Sequence, residues 1–383
     1  MLTPENRRNR QKTRSCCAAG YKGEPYTITG QVLGLLLALV ASACDTADTD
    51  PPPPPSDPAA PAELVDMAAF YEAFEVLREL ELEETDQAMT VQPMVTLGGD
   101  GTFLLAEPME GQVNVYGNDG RLRRVVGSRG EGPGESLFPL SAHRTLDGGI
   151  VVADFQLARL TFFPGSGEDP EIVMSPITTV QGALDLGEDR YLLTGMLQSE
   201  GAPTLLHIWN RRTGDLERSF LPMGVPEESL DYAFTFQGAF AALEADTIWA
   251  GWALSDTLYK FSRQGDRLEE IPLPMVRPMG TLPSAGESVP DVDAGADPFD
   301  RFTQVVRVSV LDDGNLVVMS MQSRGMDAVW DLLIIDRTGQ QLLGAPNMPQ
   351  LLAVEQDLFY FDDPASVLPN RWLVARWKGG LEP

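Results

Sequence analysis

Six times along this chain of 383 residues a short apolar run follows a turn rich in acidic residues or glycine. The runs are TFLLAE, IVVADF, RYLLTG, TIWAGW, NLVVMS and LFYFDD. The turns before them are Gly99-Asp100-Gly101, Asp147-Gly148-Gly149, Gly187-Glu188-Asp189, Glu244-Ala245-Asp246, Asp312-Asp313-Gly314 and Glu355-Gln356-Asp357. After each run come a loop, a second apolar strand and a turn that closes on glycine: Gly120, Gly167, Gly214, Gly265, Gly339 and the Lys378-Gly379-Gly380 end. The units lie 40 to 68 residues apart. A period of that length with four short strands per unit specifies an all-β, six-bladed propeller. Gly 36 and Pro 30 fit the many turns such a fold needs.

The sixth unit runs out of chain after RWLVARWKGG and lacks a fourth strand. The stretch Val76–Glu84 reads as a strand that has no partner within the first unit. Pairing the two closes the ring and removes an exposed sheet edge. Ahead of it, residues 63–75 carry Leu64, Met67, Tyr71 and Phe74 at helical spacing, which predicts a short helix. The propeller is therefore expected to occupy residues 63–383, with Pro278–Asp300 as an inserted loop.

Residues 1–43 have the parts of an export signal: a basic, polar start, the apolar run Val32–Val40, then small residues. Nine apolar residues are too few to cross a bilayer, which needs about 20. Residues 44–62 contain five consecutive prolines and read as a semi-rigid tether. Ala41-Ser42-Ala43-Cys44 followed by such a linker resembles the lipobox of bacterial lipoproteins, with Ala41 where that family prefers Leu. The resemblance implies cleavage before Cys44, acylation of its sulfur and anchoring in the bacterial cell envelope. The alternative is an ordinary secretory signal cut after Ala43. The long basic start is also compatible with a true start codon downstream of Met1.

Within the second unit, VVADFQLARLTFF (151–163) is similar to the NHL repeat, with Asp154, Arg159, Leu160 and Phe163 in register and Leu157 where Asn is usual. The segment VGSRGEGPGE (126–135) resembles the loop after the first blade of six-bladed, NHL-like (NHL/TolB-like) propeller lipoproteins. That resemblance implies the fold and the envelope address, and no reaction. Asp154 is expected to accept backbone N–H bonds in a turn, and Arg159 to bond carbonyls of the next blade.

The chain has a formal charge of −28, and residues 44–383 alone carry −32. Such a surface repels phosphate backbones and argues against nucleic acid. The three cysteines, Cys16, Cys17 and Cys44, all precede the propeller, so no disulfide staples it. His143 and His207 are the only histidines, and no HExxH or GxSxG motif is present. GEGPGE has neither dinucleotide nor phosphate-loop spacing and reads as a tight crossing between blades, with Arg129, Glu131 and Glu135 as candidates to face the propeller mouth. Asp291, Asp293, Asp297 and Asp300 do not fit the EF-hand pattern, because Ala296 and Phe302 stand where Gly and Glu are required. The expected function is an envelope-anchored, monomeric module that binds a small ligand or another envelope protein, without a cofactor. The alternative is a propeller enzyme, such as a calcium-assisted lactonase or lyase, with ligands gathered from several blades.

Overall fold

A computed structural model of the chain describes residues 65–90, 93–198, 202–224, 237–280, 302–324 and 327–379. The expected signal (1–43), Cys44, the tether (44–62) and most of the Pro278–Asp300 insertion lie outside the described residues.

Each apolar run becomes the second strand of a four-stranded antiparallel sheet, and there are six such sheets. Blade one is β2 (Met94–Leu97), β3 (Thr102–Glu107), β4 (Gln112–Gly117) and β5 (Leu122–Val126). Two short strands, β6 (Ser128–Arg129) and β7 (Glu135–Ser136), pair in parallel in the crossing to blade two. Blade two is β8 (Pro139–Arg144), β9 (Ile150–Asp154), β10 (Arg159–Phe163) and β11 (Glu171–Met174). Blade three is β12 (Gly182–Gly187), β13 (Arg190–Leu197), β14 (Thr204–Asn210) and β15 (Leu216–Pro222). Blade four is β16 (Ala239–Glu244), β17 (Thr247–Trp252), β18 (Thr257–Ser262) and β19 (Arg267–Pro272). Blade five is β20 (Thr303–Val310), β21 (Leu316–Arg324), β22 (Asp327–Ile335) and β23 (Gln341–Met348). Blade six takes β24 (Leu351–Glu355), β25 (Leu358–Asp362) and β26 (Arg371–Trp377) from the end of the chain, and β1 (Phe74–Glu81) from its beginning. The architecture is a six-bladed β-propeller.

The second strands are apolar at consecutive positions because both of their faces are covered. Successive side chains in a strand point to opposite faces. In β3, Phe103 and Leu105 pack toward blade six, while Leu104 and Ala106 pack toward blade two. In β9, Ile150 and Val152 face blade one, while Val151 and Ala153 face blade three. The core is accordingly six clusters, one between each pair of neighbouring blades.

At the end of the ring that carries the first-to-second and third-to-fourth strand turns, arginines tie neighbours together. Arg144 pairs with Asp100 at 3.0 Å, joining blades two and one. Arg218 pairs with Asp266 at 2.6 Å, joining three and four. Arg211 with Glu171 and Arg337 with Glu244 do the same for blades three and two and for five and four. The second-to-third strand loops and the crossings between blades lie at the opposite end.

The closure follows the sequence expectation. β1 runs antiparallel to β26, from Phe74 opposite Trp377 to Glu81 opposite Arg371, with a bulge between Val76 and Arg78. The strand begins and ends earlier than the expected Val76–Glu84. After Glu81 the chain crosses from blade six to blade one: Leu82 N donates to Asn370 O and Glu83 N to Gly120 O, both at 2.8 Å. At this seam Phe103 meets Tyr360 and Trp372 edge-on, with ring centroids 4.9 and 5.1 Å apart.

The helix also forms, over Met67–Ala73 (α1), with Asp66 capping it by accepting from Ala69 N at 3.0 Å. Its buried face differs from the expected one. Phe70 is fully buried against Phe74 and Phe361, while Tyr71 is exposed. Phe74 already belongs to β1, so the helical period ends before it, and Phe70 in place of Tyr71 joins Phe74 in the core.

Gly120 shows what the seam demands. Its φ of +79° is left-handed, and a Cβ there would lie 2.2 Å from Glu81 O. Gly214, in the equivalent turn of blade three, has φ +78° but open space around a Cβ. Gly214→Ala should therefore cost about 1 kcal/mol for backbone strain alone. Gly120→Ala should cost about 2–4 kcal/mol, since the blade six to blade one contact must also shift. Urea unfolding of the two variants measures the difference; equal losses would mean that the seam tolerates displacement.

Candidate functional site

The first strands of the six blades, β2, β8, β12, β16, β20 and β24, surround a central channel that opens at the crossing end into a cavity of about 2060 Å³. Most of its wall is apolar, with Met94, Leu184, Ala241, Leu243, Leu352 and Val354 among the lining residues. Tyr71, Met89, Met109, Val367 and Leu368 line the same cavity and are all exposed. They come from α1, the crossing into blade one and the second-to-third strand loops of blades one and six, so they lie at the mouth. Exposed large apolar side chains gathered at a concave opening are characteristic of a contact surface.

Within this wall a few polar groups stand out. Arg307, on β20, is the one lysine or arginine among the described lining residues. Its Nη2 reaches over blade six to donate to Val95 O of blade one at 3.1 Å. No carboxylate among the described residues pairs with it, and burial pushes the guanidinium down to about 10. His143, on β8, makes no hydrogen bond to another described residue. Burial, aided by the positive charge of Arg307, holds it down to about 4, so the imidazole is neutral at pH 7. Beside it Gly182 lets three side chains come close: a Cβ there would lie 2.8 Å from Thr194 Oγ1, too near to fit, 3.4 Å from Ser141 Oγ and 3.8 Å from His143 Nε2. Ser141 Oγ is buried with no partner.

His207 is different. Its ring nitrogens lie 2.9 Å from Ser219 Oγ and 3.2 Å from Gly195 O inside blade three, so it is a structural residue. Neither imidazole is bonded to a carboxylate, which is the arrangement a nucleophilic triad needs. The enzyme alternative calls for several metal-binding side chains to converge. Among the described residues no three His, Cys, Asp or Glu do so.

The loop singled out from sequence is built as a clasp between blades one and two. Arg159 donates to the carbonyls of Glu131 (2.8 Å), Gly132 (3.2 Å) and Glu135. It thus holds the crossing that leads into its own blade, where the sequence pointed to the next one. Asp154 accepts from Leu137 N at 2.7 Å, Phe138 N at 3.3 Å and Leu157 N at 2.9 Å, as expected of a turn-bonding carboxylate. Glu135 Oε2 accepts from Gly132 N at 2.6 Å, and Arg129 donates to Met109 O at 2.7 Å. Arg129, Glu131 and Glu135 do not line the cavity. Arg129 touches its edge only through Met109, and Glu131 is exposed and joins the clasp through its carbonyl. Of the channel residues, His143 stood out in the sequence only as one of two histidines, and Ser141, Thr194 and Arg307 carried no motif. For Ser141, His143 and Arg307 the signal is a polar side chain inside a short first strand, as in SAHR and VVRVSV, which only the sheet order places at the centre; Thr194 lies on the second strand of blade three.

Among solved structures, the chain resembles a Bacteroides fragilis protein named as exported, with 12% identity, 80% of this chain and 96% of that one covered, and a TM-score of 0.56. It likewise resembles a DUF4221 family member from Bacteroides vulgatus, with 10% identity, 80% and 97% coverage, and a TM-score of 0.57. At such identities the likeness concerns the fold. No known family model matches the chain, and neither does any curated protein.

One more group at the mouth has a measurable consequence. Asp362, at the end of β25, lines the cavity, and burial together with the neighbouring Asp363 raises its carboxyl to about 7. An acid with a raised folded value binds its proton more tightly folded than unfolded. Its effect is absent below its ordinary value of 3.8, and stability falls as pH rises from there toward 7. Asp362→Asn should remove that loss, so the variant should gain about 1–3 kcal/mol over wild type at pH 8 and nothing at pH 4. Chemical denaturation at the two pH values checks this; a gain that is the same at both would show that ionisation is not the cause.

Proposed function

We propose that this chain is an exported lipoprotein of the bacterial cell envelope whose propeller binds a ligand at the channel mouth. The observation that carries the binding reading is the set of exposed apolar side chains, Tyr71, Met89, Met109, Val367 and Leu368, around a channel whose wall is mainly apolar. Rigid concave sites of that make-up suit small molecules or an inserted side chain. The export reading rests on residues 1–43 and is in keeping with the Bacteroides fragilis neighbour named as exported. Anchoring rests on Cys44. No described helix is long and apolar enough to cross a membrane. A net charge of −32 on residues 44–383 disfavours adhesion to anionic lipid. Two or three acyl chains on one cysteine give a stable anchor, where one chain gives marginal binding.

Cys44→Ala removes the nucleophile that accepts the lipid. The wild type should fractionate with membranes and show an acylated Cys44 as its first residue by mass spectrometry. The variant should be found uncut, or soluble after cleavage behind Ala43. An unmodified Cys44 in soluble wild-type protein would refute the anchor.

A further inference from the structure

We propose that Arg307, together with Ser141, His143 and Thr194 around Gly182, forms a site in the central channel for a small organic monocarboxylate with an apolar body. The inference rests on the reading of the channel as a ligand site and specifies what that ligand is.

A guanidinium carries five N–H donors, and one bond to Val95 O is all that the described residues offer Arg307. A strut between blades five and one would need no charge, since a neutral amide would serve the same carbonyl. Desolvating a charge is costly, and no described carboxylate offsets that of the half-buried Arg307. This is unusual in a protein with a net charge of −28. A planar carboxylate matches the guanidinium fork in shape and charge.

The surrounding groups suit the same ligand. Ser141 and Arg307 sit at the same height above the first turns of their blades, opposite Ala153 and Met319. Ser141 Oγ has no partner among the described residues, and Gly182 draws it together with Thr194 Oγ1 and His143 Nε2. Hydroxyls and a neutral imidazole donate to carboxylate oxygens without adding charge. A single cation favours a monoanion: a phosphate dianion would leave one charge uncompensated. The apolar wall, with Leu184, Ala241 and Leu243, accommodates the remainder of the ligand.

The test is isothermal titration calorimetry on the full chain in detergent, with hexanoate, hexanamide, hexylamine and inorganic phosphate as probes. Hexanoate should bind one per chain, at least about tenfold more tightly than hexanamide, with phosphate weaker still. Arg307→Met should weaken hexanoate at least about 30-fold and leave hexanamide unchanged. The same variant should melt no lower than wild type, because it removes a half-buried charge that no described carboxylate offsets. His143→Phe, which leaves Arg307 in place, should weaken hexanoate about tenfold. Equal binding of hexanoate and hexanamide, or unchanged hexanoate binding by Arg307→Met, overturns the proposal. Leu184→Trp, which puts an indole into the channel two residues along β12 from Gly182, separates the two readings. If hexanamide or hexylamine binds best and Leu184→Trp abolishes it, the carboxylate assignment is wrong and the channel site stands. If Leu184→Trp alters the binding of no probe, the channel reading fails as well.

Discussion

Everything in this molecule depends on the pairing of β1 with β26. The ring is made of sheets that each bury both faces against a neighbour, so no blade is complete until the last has a fourth strand. That strand comes from the beginning of the chain, nearly 300 residues away in sequence, and it brings α1 with it. Phe70 and Phe74 then fill the space between blades five and six, and Leu80 and Leu82 fill the space between six and one. A fold closed in this way leaves no unprotected inner edge.

Closure also creates the channel. Six first strands brought around one axis leave a space that their side chains do not fill. The wall is built from residues that pack, such as Ala241 and Leu184, and the exceptions are therefore conspicuous. Arg307 reaches past blade six to blade one, and burial, aided by its charge, holds His143 neutral. Burial, charge and hydrogen bonding at the centre of the ring are thus consequences of the same geometry that makes the blades stable.

The sequence showed the blades clearly because period-2 burial on both faces writes an unbroken apolar run, and TFLLAE or NLVVMS has no other comfortable environment. It showed the closing strand because a missing fourth strand at one end matched an unpaired strand at the other. It placed Asp154 correctly and misjudged which crossing Arg159 holds, since the residue type fixes the kind of bond and not the direction in which the chain returns. The helix face slipped by one residue, because a period read across Phe74 ignores the change from helix to strand. Arg129, Glu131 and Glu135 drew notice as charges in a glycine loop, yet the loop spends its polar groups on its own backbone and on Met109. The channel residues were legible only as ordinary polar positions in short strands. No local pattern joins Ser141 to Arg307; the ring does.

The most direct test of this account compares two N-terminal truncations, one that begins at residue 62 and one that begins at residue 82. The first removes the signal and tether and keeps α1 and β1; the second removes α1 and β1 as well. The account predicts that the chain from residue 62 melts as the full propeller does, in one cooperative transition. The chain from residue 82 should melt lower by more than about 10 °C or fail to fold, having lost a whole strand and the core of two seams. Equal melting temperatures for the two would contradict the claim that the first strand closes the ring.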